Sequence, residues 1–273
     1  MKNFKTLTIS LLALSLFACA SNDKTEYKNL SLNETVNLPH RAENKARDKY
    51  RHPVQTIEFF EIKPNHTVVE INPSGGWYTK VLGPYLKDEG TLYLAIFDKK
   101  SKKSYAKKYN KKIKKIVSNS KLYGDVKFTV IDDSVKMGPI APENTADRVV
   151  TFRNVHGWVR NDKDKEAFEA FYKALKPGGI LGVVQHRLPK EMKQDKKAST
   201  GYVHETFVKE LAKNAGFKFL AKSEINANPK DTANYKGGVW TLPPALRADD
   251  TMKEKYQQIG ESDRMTLKFR KPM

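Results

Sequence analysis

The residue types richest in chemistry sit in Arg153-Asn154-Val155-His156-Gly157-Trp158 and in Gln185-His186-Arg187. An imidazole titrates near neutral pH, so His156 can act as a general base. An asparagine amide carries two donors and an acceptor, so Asn154 can orient a polar substrate. These two are the candidate catalytic residues. Trp158 can stack on an aromatic or cationic group. With Arg153, His186 and Arg187 it forms the set of candidate substrate contacts. Tyr202, beyond a lysine-rich stretch from Lys190 to Lys197, is a further candidate that closes over the site. A second constellation is Glu70-Ile71-Asn72-Pro73-Ser74-Gly75-Gly76-Trp77. A strand that feeds a glycine-rich turn and a helix N-terminus offers a ligand backbone N–H groups and a positive dipole end. Glycines let the ligand come close to the backbone. Read this way, the segment is a nucleotide-binding turn. Two adjacent glycines alone also fit a plain strand–helix connection.

Both constellations need elements to hold them. Thr67–Ile71 is a short apolar strand that ends at the turn. Tyr78, Val81, Leu82, Tyr85 and Leu86 then recur at helical spacing. Thr91–Phe97 is a second strand. Lys99–Val117 carries ten lysines, with Tyr105, Tyr109, Ile113, Ile116 and Val117 on one stripe, an amphipathic helix with a lysine-covered face. Further strands are read at Val126–Ile131, Ala146–Phe152, Ile180–Gln185, Phe217–Ile225 and Met265–Arg270, with helices at Asp164–Leu175 and Thr206–Ala215. Alternating strands and helices predict an α/β fold with a mostly parallel sheet covered on both faces. No helix is read between the last two strands, so the last is placed antiparallel. The stretch from Asn226 to Pro244 is long for a loop and is expected to form an ordered lid.

A Rossmann-like seven-stranded sheet with an antiparallel last strand is the architecture of class I S-adenosylmethionine-dependent methyltransferases. The chain from Arg51 to Pro272 resembles that family. Leu175-Lys176-Pro177-Gly178-Gly179-Ile180-Leu181-Gly182-Val183-Val184 resembles its characteristic return from helix into strand five. Pro73-Ser74-Gly75-Gly76-Trp77-Tyr78-Thr79 is similar to a turn found in exported bacterial proteins described as predicted methyltransferases. The resemblance implies S-adenosylmethionine as cofactor. It implies that Glu70, Asn72, Ser74, Gly75, Gly76 and Trp77 surround the methionine end, with Glu70 holding its amino group. Of the family's three alternating glycine positions, here Asn72, Ser74 and Gly76, one is kept. A carboxylate after strand two holds the ribose hydroxyls in the family. Direct alignment places Ile96 there, and Asp98 is the nearest carboxylate. Asp98 equally fits a cap for the lysine-rich helix. Asp132 or Asp133 stands where the family faces the adenine amino group, and a solvated loop pair is the other reading. The resemblance also implies that the segment after strand four, which carries Asn154 and His156, lies beside the transferable methyl group.

The whole chain has 273 residues and a formal net charge of +19. Such a balance favours acidic partners. No motif with interleaved exposed aromatics supports nucleic-acid binding, and no metal site is expected. Lys2 and Lys5 precede an apolar run from Leu7 to Ala18 that suits a signal peptide over residues 1–19. Leu16-Phe17-Ala18-Cys19 resembles a bacterial lipobox, which implies cleavage before Cys19 and lipid attachment to its thiol. Ala18-Cys19-Ala20 also fits ordinary signal cleavage. Cys19 is the one cysteine, so no disulfide forms within the chain. Residues 20–45 read as a flexible polar tether and 46–273 as the folded domain. The expected location is the bacterial periplasm, with a lipid anchor to a membrane. The expected function is methyl transfer to a small or medium substrate. The alternative is an exported lipoprotein of the same fold that binds a small ligand without catalysis. Export sets the domain apart from a cytosolic cofactor, and the replaced glycines favour the alternative. A nicotinamide-dependent oxidoreductase shares the turn but not the antiparallel last strand.

Overall fold

The computed structural model of the protein describes residues 27–273. The expected signal peptide, Cys19 and the start of the expected tether lie outside the described residues. Seven strands form one sheet: β1 (Thr67–Ile71), β2 (Thr91–Ile96), β3 (Lys127–Val130), β4 (Ala146–Phe152), β5 (Leu175–His186), β6 (Lys218–Ser223) and β7 (Arg264–Arg270). Their order is β3-β2-β1-β4-β5-β7-β6. β1 to β5 pair in parallel, and β7 runs antiparallel between β5 and β6. This is the Rossmann-like, doubly covered α/β sheet that the sequence predicts. The strand order reverses between β1 and β4, and a crevice outside the carboxyl ends of the strands opens at such a point.

Helices α1 (Leu32–Asn37), α2 (Ala42–Lys45), α3 (Asp48–Arg51) and α4 (Pro53–Phe59) precede β1. α5 (Thr79–Leu86) follows the turn, and α6 (Ala106–Ile116) and α7 (Ser120–Tyr123) link β2 to β3. α8 (Val155–Arg160) and α9 (Asp164–Ala174) link β4 to β5; α10 (Glu205–Asn214) precedes β6 and α11 (Asp250–Ile259) precedes β7. One apolar core packs α8, α9 and α10 against the sheet. A second, on α1, α4, α5 and α6, packs on the other face. β-strands buried on both faces read as near-continuous apolar runs, which is why β1 and β4 were legible.

Four expectations change. The described part of the expected tether, residues 27–45, is folded onto the domain. Ser31 and Glu34 form a reciprocal cap on α1, and Leu32 and Val36 bury one face against α4 and α5. Arg41 is fully buried and donates to the Val36 carbonyl at 2.6 Å and to Asp48. A few apolar groups at helical spacing suffice to dock a segment whose mean composition is polar. The lysine-rich helix begins at Ala106, because Lys99–Tyr105 is held in turns by Asp98 and Ser134. β5 begins at Leu175, so Pro177-Gly178-Gly179 lies within the strand, where a register shift against β4 absorbs it. Finally, α11 does stand between β6 and β7. It has no buried residue and so no apolar stripe to read. The antiparallel direction has another cause: Asn228 Nδ2 donates to the carbonyls of Ile259 (2.9 Å) and Glu261 (2.7 Å), so the excursion returns to the sheet edge it left.

Candidate functional site

The Asn72–Gly76 turn is left-handed at all three alternating positions, though only one of them is glycine. Asn72, Ser74 and Gly76 have φ of 43°, 50° and 72°. Asn tolerates the left-handed region better than most residues; at Ser74 it costs roughly 1–2 kcal/mol. The Ser74 hydroxyl donates to the Asn72 carbonyl at 3.3 Å and helps to fix the shape. Gly76 is required twice over. Besides its φ, a Cβ there would stand 2.8 Å from Ile116 Cδ1 and 2.9 Å from Ile113 Cδ1. Gly75 meets only the Lys112 ammonium at 3.7 Å. Glu70 is buried at the end of β1, where Thr79 Oγ1 donates to it at 2.6 Å. Burial pushes its pKa up to about 7 against that bond. Asn72 Oδ1 is buried without a partner among the described residues.

α6 closes over this turn. Between Pro73, Ser74, Phe97, Tyr109 and Ile113 a cavity of only about 10 Å³ remains, room for one water at most. Asn110 fastens α6 by donating to the Phe97 carbonyl at 2.8 Å. The three candidate carboxylates are engaged as well. Asp98 accepts from the Lys100 amide at 2.7 Å and so caps a turn, not the lysine-rich helix. Asp132 is buried and accepts from the Ser134 amide and hydroxyl. Burial pushes its pKa up, but bonds from Ser101 and Ser134 outweigh that and hold it below the usual range. Asp133 pairs with Lys103 at 2.6 Å and accepts from Asn161 at 2.9 Å.

At the carboxyl ends of β4 and β5 the candidates separate. Asn154 Nδ2 donates to the Ile71 carbonyl at 2.9 Å and to Thr151 Oγ1 at 3.1 Å. Its amide thus bridges β1 and β4 at the strand-order reversal. His156 stands 3.3 Å from Gln185 Nε2, with its ring 5.7 Å from that of His186 and 5.8 Å from Trp240. Burial, with the Arg160 charge, pushes its pKa down to about 4. It is therefore neutral at physiological pH and a weaker base than an ordinary histidine. His186 bonds Ser262 Oγ at 2.5 Å, and burial together with neighbouring cations holds it neutral too.

Three substrate candidates are corrected. Trp158 is buried in the core against Phe171, so no face is left for stacking on a ligand. Tyr202 is buried, and its hydroxyl donates to Asp231 at 2.9 Å. Arg187 is held by Asp263 at 2.8 Å and Glu224 at 2.7 Å. Arg153 differs. It follows β4 with φ of 65°, a strained backbone for a side chain of this size, and its guanidinium has no partner among the described residues. The Asn226–Pro244 stretch is ordered by Asn226, which donates to Thr56 and Thr266, and it places Trp240 over Arg160.

Sequence reasoning missed the residues that face Arg153. Arg47, Arg51 and Arg264 converge on Glu261, with Arg47 Nε at 2.5 Å, Arg51 Nε at 3.2 Å and Arg264 Nη2 in contact. Arg51 also lies 4.7 Å over the Trp77 ring. The one sequence trace is the i, i+4 spacing of Arg47 and Arg51. Buried arginines leave no apolar pattern to find. Among the described residues no group of three or more His, Cys, Asp or Glu side chains can hold a metal ion.

Solved structures share this fold. A S-adenosylmethionine-dependent methyltransferase from Aquifex aeolicus is 13% identical, with a TM-score of 0.55 over 89% of this chain and 99% of its own. The [4+2]-cyclase SpnF is 16% identical, with a TM-score of 0.51 over 82% and 80%. No family model and no curated protein matches the chain. The likeness establishes a methyltransferase-like fold. A cyclase among such neighbours illustrates that a fold does not dictate a reaction.

Proposed function

We propose that the protein is a S-adenosylmethionine-dependent methyltransferase acting on a small or medium acceptor. One observation carries the reading: left-handed backbone at the three alternating turn positions, on the crevice side of a sheet ordered as in methyltransferase neighbours. This conformation has been kept at Asn72 and Ser74 without glycine, at a cost in backbone energy that a plain connection need not bear. The turn fits the methionine end of the cofactor, and the orphaned Asn72 Oδ1 and buried Glu70 can take its ammonium. Asp98, Asp132 and Asp133, past the ends of β2 and β3, are the carboxylates proposed for the nucleoside side. When bound, S-adenosylmethionine supplies an electrophilic methyl group. The chain's part is then to align the acceptor and exclude water. Asn154 fixes the crevice wall, and neutral His156 and His186 accept hydrogen bonds without adding charge.

A second reading has its own support. The filled cleft and the engaged carboxylates suit an exported protein of this fold that binds a ligand elsewhere and performs no catalysis. Calorimetry on the full chain separates the two. The enzyme reading expects micromolar binding of S-adenosylmethionine and S-adenosylhomocysteine, lost in Gly75→Leu, where the backbone has room for a side chain. No heat at millimolar ligand would sink it in favour of the second reading. Under either reading we propose export and a lipid anchor at Cys19.

A further inference from the structure

Three guanidinium groups, those of Arg47, Arg51 and Arg264, share one carboxylate, Glu261, and the charge of Arg153 acts on the same carboxylate without contacting it. Arg51, Arg264 and Glu261 are each only 2% exposed. The charges of Arg153, Arg264 and Arg47 all act on Arg51 and, after burial itself, push its pKa down. Burial also pushes Arg153 down to about 10, with Arg264 the next cause. Glu261 is driven the other way: burial alone would raise its pKa, but Arg264, Arg51 and Arg153 hold it well below the carboxylate range. One ionised carboxylate leaves the cluster strongly cationic, and buried like charges repel.

Hydrogen bonding shows the same imbalance. Arg51 Nη1, Arg47 Nη2, Arg264 Nε and Trp77 Nε1 are buried donors with no acceptor among the described residues. Buried polar groups in proteins are normally paired. Here four unpaired donors gather about one carboxylate and the tryptophan that stacks on Arg51, while one unpaired acceptor, Asn226 Oδ1, lies on the neighbouring cleft. Arg153 adds a guanidinium that has no acceptor among the described residues. A cleft of about 470 Å³, within the usual range for ligand sites, leads to Glu261 and Ser262 past Lys49, His52 and Lys230. The cleft ends on Glu261, the carboxylate that the arginines hold, and its wall carries Lys49 and Lys230.

We infer that the Arg51–Arg153–Arg264 cluster is a binding site for a doubly charged oxyanion, a phosphate group of a small molecule. Guanidinium forks match oxyanions bidentately, and a dianion offers acceptors for the orphaned donors while offsetting their charge. Its use to hold the acidic end of the methyl acceptor rests on the methyltransferase reading; the binding itself does not. The site draws on α3, β4 and β7, so it exists only when the segment before β1 is docked.

The test uses the full chain with inorganic phosphate and no S-adenosylmethionine. Titration calorimetry at fixed ionic strength should show one saturable phosphate site, with acetate at least tenfold weaker. Phosphate should also raise Tm above that in sodium chloride of equal ionic strength. Arg51→Gln tests the centre but can unfold the protein. Arg153→Gln, which removes no hydrogen bond or ion pair among the described residues, should fold and weaken phosphate at least tenfold. A phosphate response equal to that of chloride, or unchanged in Arg153→Gln, overturns the proposal. So does acetate binding as tight as phosphate. Since S-adenosylmethionine is absent, none of these results depends on whether the chain binds it.

Discussion

Glu70 combines deep burial with a single hydrogen-bond donor, Thr79 Oγ1. Burial raises its folded pKa to about 7, above the ordinary carboxylate value of about 4.5. For an acid shifted upward, the folded state holds the proton more tightly than the unfolded chain. Its contribution is fully present below about pH 4.5 and is lost as pH rises through about 7. The shift corresponds to roughly 3 kcal/mol by linkage. Glu70→Gln should therefore flatten denaturant-melt stability between pH 5 and 8 and stabilise the protein at pH 8. An unchanged pH profile would show that Glu70 does not titrate in that window. Its neighbours show where residue-level reading reached its limit. Asn72 and Ser74 looked like departures from a glycine pattern, because sequence reports side chains and the turn is defined by φ.

α6 fills the crevice beside the Asn72–Gly76 turn, where the proposed cofactor would sit. Ile113 is 1% exposed and sits against Gly76. Ile113→Ala should lower stability by about 2–4 kcal/mol in urea melts. The same change deletes atoms from the closed cleft, so S-adenosylmethionine affinity should rise. Weaker binding in a folded variant would mean that Ile113 supports the cofactor rather than competing with it. At this scale much was legible. β1 through β5 announce themselves as apolar runs between turn residues, and α5, α9 and α10 through 3.6-residue periodicity. α11 was not, having no buried face, and neither was α1, whose apolar positions are few. The arginine site was illegible because it is built from four elements far apart in sequence. Proximity of Arg51 to Arg264 is a product of topology, and no local pattern encodes it.

Across the whole molecule, the segment before β1 packs beside the turn that follows β1. It supplies Arg41, Arg47 and Arg51, and Arg41 and Arg51 flank Trp77 at 5.1 and 4.7 Å. Among the described residues no helix is long and apolar enough to cross a membrane; the proposed anchor is Cys19. In cells making the full chain, a radiolabelled or alkyne fatty acid should be incorporated and should disappear in Cys19→Ser. Equal labelling of that variant would remove the anchor proposal. The docked α1 then sets a leash. From Cys19 to Tyr27, the first described residue, are eight peptide steps, a fully stretched reach of about 28 Å. The tether read from composition would have let the domain range several times farther. With the leash this short, an anchored domain patrols a shell one protein diameter deep, and the molecules it meets are those that linger at the bilayer surface.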